Sequence, residues 1–356
     1  MSIVKPDCSD RKAPASSPLV PFRSTSPFCL RLCARLFLLL LCAAGLACQQ
    51  KSDDAKNPKV LRVGHFPNLT HGQALVARQM AAEGKDWFRE RLGPEVELQW
   101  LLYNAGPSAV EGIFAGSVDL TYIGPSPVLN GYNRARGEDV RVISGAAMGG
   151  AALVVKKGGR IQKPEDFRGG RIATPQLGNT QDVAARAWLK KHGFAVTQLG
   201  GDVHVLPAAN PDQLSLFAQD RVDGVWTVEP WVSRLELDAN GSIFFEETDA
   251  VTTVLAASAA SLEHKRPVVV KFVKAHQELT EWINANPEEA KRLVRAALKD
   301  LTRRELPATL ADRAWPRLKF STEVRSGDFQ RLVEDAQGAG FLKEITPLDR
   351  LVVPLP

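Results

Sequence analysis

Cysteine is absent from most of this chain. The five cysteines all lie within the first 48 of 356 residues, as Cys8, Cys29, Cys33, Cys42 and Cys48. The rest of the chain therefore has no disulfide framework, and its stability must come from a hydrophobic core. A composition of 44% hydrophobic and 24% charged residues is that of an ordinary globular protein, long enough for two domains.

The chain also lacks the motifs of several enzyme classes. It contains no GxxxxGK[ST] phosphate-binding loop, and no metal-ligand spacing is visible. No nucleophile, base and orienting group can be recognised as a set, and the residues after Cys48 contain no thiol. The sequence therefore predicts a protein that is not an enzyme and that carries no cofactor.

The first apolar run is too short for an ordinary membrane-spanning helix. It extends from Leu36 to Leu41 and follows Arg31 and Arg35. A basic flank, a short apolar core and small residues before the break are typical of a secretory signal, which we assign to residues 1–47. The long stretch before the run indicates that translation starts downstream of Met1.

Cys48 is a candidate lipidation site. Leu46-Ala47-Cys48 resembles the end of a bacterial lipobox, in which the cysteine is lipidated and becomes the mature N-terminus. Gly45 stands where the consensus prefers leucine, so ordinary signal cleavage remains an alternative. Residues 48–58 are polar and unpatterned, which is typical of a flexible tether.

Net charge is small once this segment is set aside. The whole chain has a formal charge of +5, and residues 1–47 hold six basic and two acidic side chains, a net of +4. The remaining chain is thus near +1, and the sequence pI of about 8.9 is largely a property of the signal. Composition gives no reason to expect nucleic-acid binding.

Strands and helices alternate from residue 60 to about residue 246. This alternation predicts parallel βαβ units, in which ligands bind beyond the carboxyl ends of the strands. Crossings between two lobes are predicted near residues 145–152 and 250–258. The domains expected are lobe 1 at 59–149 plus 252–356 and lobe 2 at 150–251, with a mainly helical C-terminal portion.

Four turns from strand to helix carry polar residues. The most informative lies within Arg171–Trp188, where Asn179 and Asp182 have the spacing of a capping box. A helix start leaves backbone N–H groups unpaired and carries partial positive charge, so it can hold an oxyanion. The other turns are at Phe66–His71, Tyr122–Ser126 and Trp226–Trp231. None of the four contains arginine, which favours a sulfonate, nitrate-like or similar small anion over a dicarboxylate.

Four segments resemble one family in the same order. They are VLRVGHFPNLTHGQALVA, GPSPVLNGY, TPQLGNTQDVAARAWLKKHG and DGVWTVEPWVSRL. They look like a substrate-binding protein of an ABC importer, of the nitrate/sulfonate/taurine group and most like its aliphatic-sulfonate members. The resemblance implies a two-lobed α/β fold of the periplasmic-binding-protein type II class, with two hinge crossings and closure around ligand. It also implies a periplasmic or other extracytoplasmic location, a permease and a separate ATPase as partners, and a monomer.

The resemblance points to ligand-binding residues in these turns. They are Asn68, Leu69, Thr70, His71, Ser126, Asn179, Thr180, Gln181, Trp226 and Glu229. His71 is as readily interpreted as a capping or packing residue, and Glu229 as a helix cap. Either Trp226 or Trp231 is expected to pack against the alkyl chain of a ligand, and the other is expected to belong to the core.

Two alternatives remain at this stage. One is a thiamine-precursor-binding or sensory lipoprotein without sulfonate specificity. The other is an enzyme of pyrimidine or menaquinone biosynthesis with the same lobes. The signal segment argues against the enzyme, since such proteins are cytosolic and the pyrimidine enzyme would need a cysteine-rich motif that this chain lacks after residue 48.

Overall fold

The computed structural model describes residue 57 and residues 59–355. The predicted signal, the predicted lipidation site at Cys48 and nearly all of the predicted tether lie outside the described residues. No helix in the described part of the chain is long and apolar enough to cross a membrane.

A six-stranded sheet with the helices packed on it forms what we call the first lobe. The strand order is β13-β4-β12-β3-β1-β2. Its strands are β1 (Val60–His65), β2 (Glu97–Leu102), β3 (Leu120–Ile123), β4 (Val140–Gly149), β12 (Val251–Ser258) and β13 (Leu318–Phe320). β1 pairs in parallel with β2 and β3, whereas β12 is antiparallel to both β3 and β4. β12 is buried along its whole length, as expected of a central strand.

A five-stranded sheet and its helices form the second lobe. The order is β11-β5-β10-β6-β9. Its strands are β5 (Ala151–Lys156), β6 (Arg171–Thr174), β9 (His204–Pro207), β10 (Gly224–Val228) and β11 (Gly241–Glu247). β6 is parallel to β9 and β10, and β5 is antiparallel to β10 and β11. A small ribbon of β7 (Val196–Thr197) and β8 (Gly200–Gly201) precedes β9.

Twelve α-helices lie in the described residues. They are α1 (Gly72–Ala82), α2 (Trp87–Leu92), α3 (Gly106–Phe114), α4 (Pro125–Arg134), α5 (Thr180–Lys191), α6 (Asn210–Ala218), α7 (Trp231–Asp238), α8 (Ala259–His264), α9 (Arg266–Ala285), α10 (Pro287–Thr302), α11 (Ala308–Ala314) and α12 (Ser326–Gly338). The first lobe's core lies on both faces of its sheet, and α9 and α10 cover one of them. The second lobe has two smaller clusters, one on each side of its sheet.

The chain passes between the sheets twice. It leaves β4 for β5 at Gly149 and Gly150, both with φ of +69°, a conformation that side chains with a Cβ rarely adopt. It returns from β11 to β12 through residues 248–250. Two such crossings and the helical C-terminal portion agree with the predicted α/β class, which is confirmed.

Several predicted elements differ from those observed. Residues 72–92 form two helices instead of one continuous helix, because Gly84 adopts a φ of +85° and Asp86 caps a new start at α2. Strand β4 continues to Gly149 through the glycine-rich segment expected to be a crossing. The alternation predicted parallel pairing, but β4, β5 and β11 pair with their neighbouring strands in antiparallel fashion.

Candidate functional site

Two helix starts from opposite lobes meet at the centre of the molecule. Helix α4 of the first lobe begins just after β3, and helix α5 of the second lobe begins just after β6 and its turn. The Ser126 N–H donates to Oγ1 of Thr180 at 3.4 Å. A Cβ placed on Gly124 would lie 2.3 Å from the same Thr180 oxygen. Only glycine at position 124 allows this approach.

The start of α5 is held by a buried polar cluster. Asn179 is the N-cap, and its Oδ1 accepts from the Asp182 N–H at 2.9 Å. The Asp182 carboxylate accepts from the Gly178 N–H at 2.9 Å rather than from Asn179, so the predicted capping box is shifted by one residue. Arg186 pairs with Asp182 at 3.1 Å, and both side chains are fully buried. This pair fixes the turn without placing a net charge beside it.

Unpaired backbone donors remain at this junction. Among the described residues, the N–H groups of Thr180 and Gln181 have no hydrogen-bond acceptor. In α4, Ser126 stands between Pro125 and Pro127, so its N–H is the single backbone donor of the first three helical positions. Both helix starts carry partial positive charge, and these donors are suited to an anion.

A small central cavity lies between the lobes at these turns, with a volume of about 30 Å³. Its polar lining residues are Asn68, Thr70, His71, Asn104, Asn179, Thr180, Gln181, Asn210 and Thr252. No residue of the lining is charged. The volume suffices for about two water molecules. The lobes are therefore closed against each other, and an aliphatic sulfonate would need them to separate.

His71 is neutral in this environment. Burial, followed by the nearby His65, lowers the pKa of His71 well below its ordinary value. The Phe66 N–H donates to Nδ1 of His71 at 3.3 Å, so the ring proton lies on Nε2. The ring also packs on Phe66, with centroids 4.4 Å apart. His71 thus combines a packing role with one neutral donor at the cavity.

Asn68 joins the lobes on the far side of the cavity. Its Oδ1 accepts from Nδ2 of Asn210 at 3.4 Å and from Nε1 of Trp231 at 3.2 Å. Asn210, the first residue of α6, was not among the predicted site residues. An Asn-Pro pair shortly after a strand is the signal that could have found it, since such a pair is typical of a turn into a helix. Asn104, which follows β2, was missed as well.

Four expected site residues do not line the central cavity, namely Leu69, Ser126, Trp226 and Glu229. The Leu69 side chain is buried in the first lobe's core, and its N–H donates to the Glu229 carbonyl at 3.0 Å. Trp226 is buried in the second lobe, with its Nε1 donating to Oε2 of Glu247 at 3.0 Å. It lines a separate cavity with Glu247, and Ser126 also faces that cavity rather than the central one.

Glu229 caps helix α7. Its carboxylate accepts from the backbone N–H and the hydroxyl of Ser233, and Arg317 donates to it at 2.8 Å. Burial raises the pKa of Glu229, while the Arg317 hydrogen bond opposes that shift. Both carboxylate oxygens are engaged, which agrees with the capping interpretation. The fold brings Arg317 to this turn from a distant segment, although no arginine lies in the turn itself.

Comparison with known proteins gives consistent matches. A model of the NMT1-like family matches residues 54–298, more than half of the chain. A protein of Bacillus subtilis (strain 168) that bears the name "putative aliphatic sulfonates-binding protein" is 27% identical, over 77% of this chain and 78% of the relative. A taurine-binding periplasmic protein of Escherichia coli (strain K12) is 26% identical, over 74% and 82%. These relatives confirm the resemblance carried by the four motifs.

A solved structure supports the fold. The alkanesulfonate-binding protein of Xanthomonas axonopodis pv. citri, bound to MOPS, superposes with a TM-score of 0.68. The match covers 83% of this chain and 98% of that protein at 18% identity. The two-lobed periplasmic-binding-protein fold expected from the sequence is thereby confirmed.

Proposed function

The chain belongs to the NMT1-like family, and from that premise we propose that it is the extracytoplasmic solute-binding component of an ABC importer. Its ligand is a small organic anion, such as an aliphatic sulfonate or a taurine-like or nitrate-like compound. It delivers this anion to a membrane permease driven by a separate ATPase subunit. Binding and delivery require no catalytic step.

One observation carries this proposal. The starts of α4 and α5 meet at an interface whose cavity has no charged lining residue, and the N–H groups of Thr180 and Gln181 there have no acceptor among the described residues. A fully ionised sulfonate does not need a countercharge, because N–H groups and helix termini can stabilise it. The neutral donors at Thr70, His71, Thr180 and Gln181 fit such an anion. The binding names of the relatives are consistent with this chemistry.

Ligand entry involves a hinge motion. The central cavity of about 30 Å³ is too small for an organosulfonate. On binding, an anion oxygen takes the place of the Thr180 hydroxyl as acceptor for the Ser126 N–H. The lobes then close on the ligand, and the backbone φ and ψ angles at the two crossings change to allow this rotation.

The lipid anchor and the oligomeric state complete the proposal. Cys48 carries lipid and tethers a monomeric body to the cell envelope through residues 48–58. Mass spectrometry of the native N-terminus tests this assignment. An unmodified terminus, or a membrane fraction unaffected by Cys48→Ser, would contradict it.

The central test uses calorimetry with ethanesulfonate, taurine and nitrate on the wild type, Thr180→Val and Thr180→Ser. Valine keeps the shape and loses the hydroxyl, so we expect affinity to fall roughly tenfold to a hundredfold, the worth of a charge-assisted hydrogen bond. Serine keeps the hydroxyl and serves as the matched control. Equal affinity in all three proteins, or no binding of any anion by the wild type, would refute the proposal.

A further inference from the structure

A second, larger cavity also borders Thr180. Its volume is about 500 Å³, and Thr180 and Thr252 line both cavities. Its walls come from helix α5, strands β10 and β11, the returning segment at residues 248–252 and helix α12. It therefore involves both lobes and one of the two crossings.

Aromatic rings form one wall of this cavity. They belong to Trp188, Trp226 and Phe245. The ring centroids of Trp226 and Phe245 are 5.6 Å apart, and those of Trp188 and Trp226 are 6.2 Å apart. The faces of such rings attract cations, most strongly where water is partly excluded.

The charges around the cavity are predominantly negative. The ionisable side chains in its lining are Glu247, Asp249, Asp328, Asp335, Lys191, Arg331 and His192. Four of them are carboxylates and two are permanently cationic, and Lys191 is already paired with Asp335 at 2.7 Å. The central cavity, by contrast, has no charged residue. An anion is repelled from the larger cavity, whereas a cation is favoured there.

Two polar groups in this lining have unused hydrogen-bonding capacity. Glu247 accepts from Nε1 of Trp226 through Oε2, and its other oxygen has no partner among residues 59–355. The Ser126 side chain is fully buried, and its Oγ has no hydrogen-bond partner in the same part of the chain. A buried hydroxyl without a partner is uncommon and calls for a polar group that completes it.

We propose that this cavity binds a protonated amine, with the Glu247 carboxylate as its acceptor and the Trp226 and Phe245 rings beside it. The amine belongs either to a free organic cation or to the amino end of an anion held at the starts of α4 and α5. The second source rests on the proposed function, and the first does not.

Three two-carbon compounds separate these sources. Ethylammonium carries only the cation, ethanesulfonate only the anion, and taurine carries both. Calorimetry and tryptophan fluorescence of the full-chain protein report binding, since Trp226 contacts Glu247 directly. Binding of ethylammonium alone supports a free cation. Taurine binding clearly tighter than ethanesulfonate, without ethylammonium binding, supports the amino end of the anion.

The matched variants are Glu247→Gln and Glu246→Gln. Glutamine at 247 keeps an acceptor for the Trp226 N–H but removes the charge, so affinity for the amine-bearing compound should fall roughly tenfold to a hundredfold. Glu246 pairs with Arg317 at 3.6 Å, lies outside the cavity and serves as control. Ethanesulfonate affinity should be unchanged in both variants.

Two results would overturn the amine site. One is unchanged affinity of the amine-bearing compound in Glu247→Gln. The other is a wild-type protein that neither binds ethylammonium nor prefers taurine to ethanesulfonate, a result that does not depend on how the variants fold. If ethylammonium binds and no sulfonate does, the amine site is supported and the anion importer fails.

Discussion

A single methyl group at Gly124 should hold the two lobes apart. Gly124 has φ of −65° and ψ of 147°, which alanine adopts without strain. Its new Cβ would lie 2.3 Å from Oγ1 of Thr180 in the other lobe. The two atoms must separate by about 1 Å to reach the 3.4 Å of ordinary van der Waals contact. Rotating the Thr180 side chain instead would withdraw the hydroxyl from the Ser126 N–H.

The size of the effect follows from the cost of overpacking. One added methylene in a close-packed region typically costs about 1–3 kcal/mol. Here the contact exists only when the lobes are closed, so the cost falls on closure and not on the folding of either lobe. A ligand-bound closed state that keeps this contact is weakened by the same amount, which lowers ligand affinity roughly 5- to 150-fold.

The assay pairs calorimetry with small-angle scattering and thermal melting. In Gly124→Ala we expect a larger radius of gyration than in the wild type, weaker anion binding and a nearly unchanged melting temperature. Gly327→Ala is the matched control, because a Cβ there meets nothing within 4 Å. If Gly124→Ala has the same radius of gyration and the same anion affinity as the wild type, the closed inter-lobe contact is refuted.

The other predictions concern single groups. Asn179→Ala removes the cap of α5, so calorimetric melting should show a loss of about 1 kcal/mol, and an unchanged melting temperature would contradict the capping role. Arg317→Ala leaves the buried Glu229 carboxylate uncompensated and should cost about 3–5 kcal/mol in denaturant unfolding. A loss below about 1 kcal/mol there would show that the pair is dispensable. Burial raises the pKa of Glu247 to about 7. Ethylammonium, which stays protonated throughout, should thus bind roughly tenfold tighter at pH 8 than at pH 6. Because the folded state holds this proton more tightly than the unfolded chain, Glu247 stabilises the apo protein less as pH rises from about 4.5 to 7. A flat binding profile between pH 6 and 8 would argue against a carboxylate acceptor.

The local turns could be predicted from the sequence, whereas the contacts between distant segments could not. The cap at Asn179 was predictable, because an asparagine just before a helical pattern of apolar residues indicates an N-cap. Its hydrogen-bond partner lies only a few residues further along the chain. The pairing of Thr180 with Ser126 was not, since 54 residues separate them and they meet only through the packing of two lobes. The contact of Arg317 with Glu229 could not be predicted for the same reason, since 88 residues separate them. Glu247 was missed because one acidic residue at a strand end gives no pattern of its own.

Helix α12 shows why the closed arrangement need not be rigid. It packs on α4 of the first lobe and on α5 of the second, so opening must move it relative to one of them. Its polar links to α5 are Lys191 with Asp335 at 2.7 Å and Lys190 with the Gly338 carbonyl. Both lysines are largely exposed, and an exposed ion pair such as that of Lys191 contributes only about 0–1 kcal/mol. Neither link holds α12 strongly to α5, so a ligand's own contacts can exceed these two links when the lobes move.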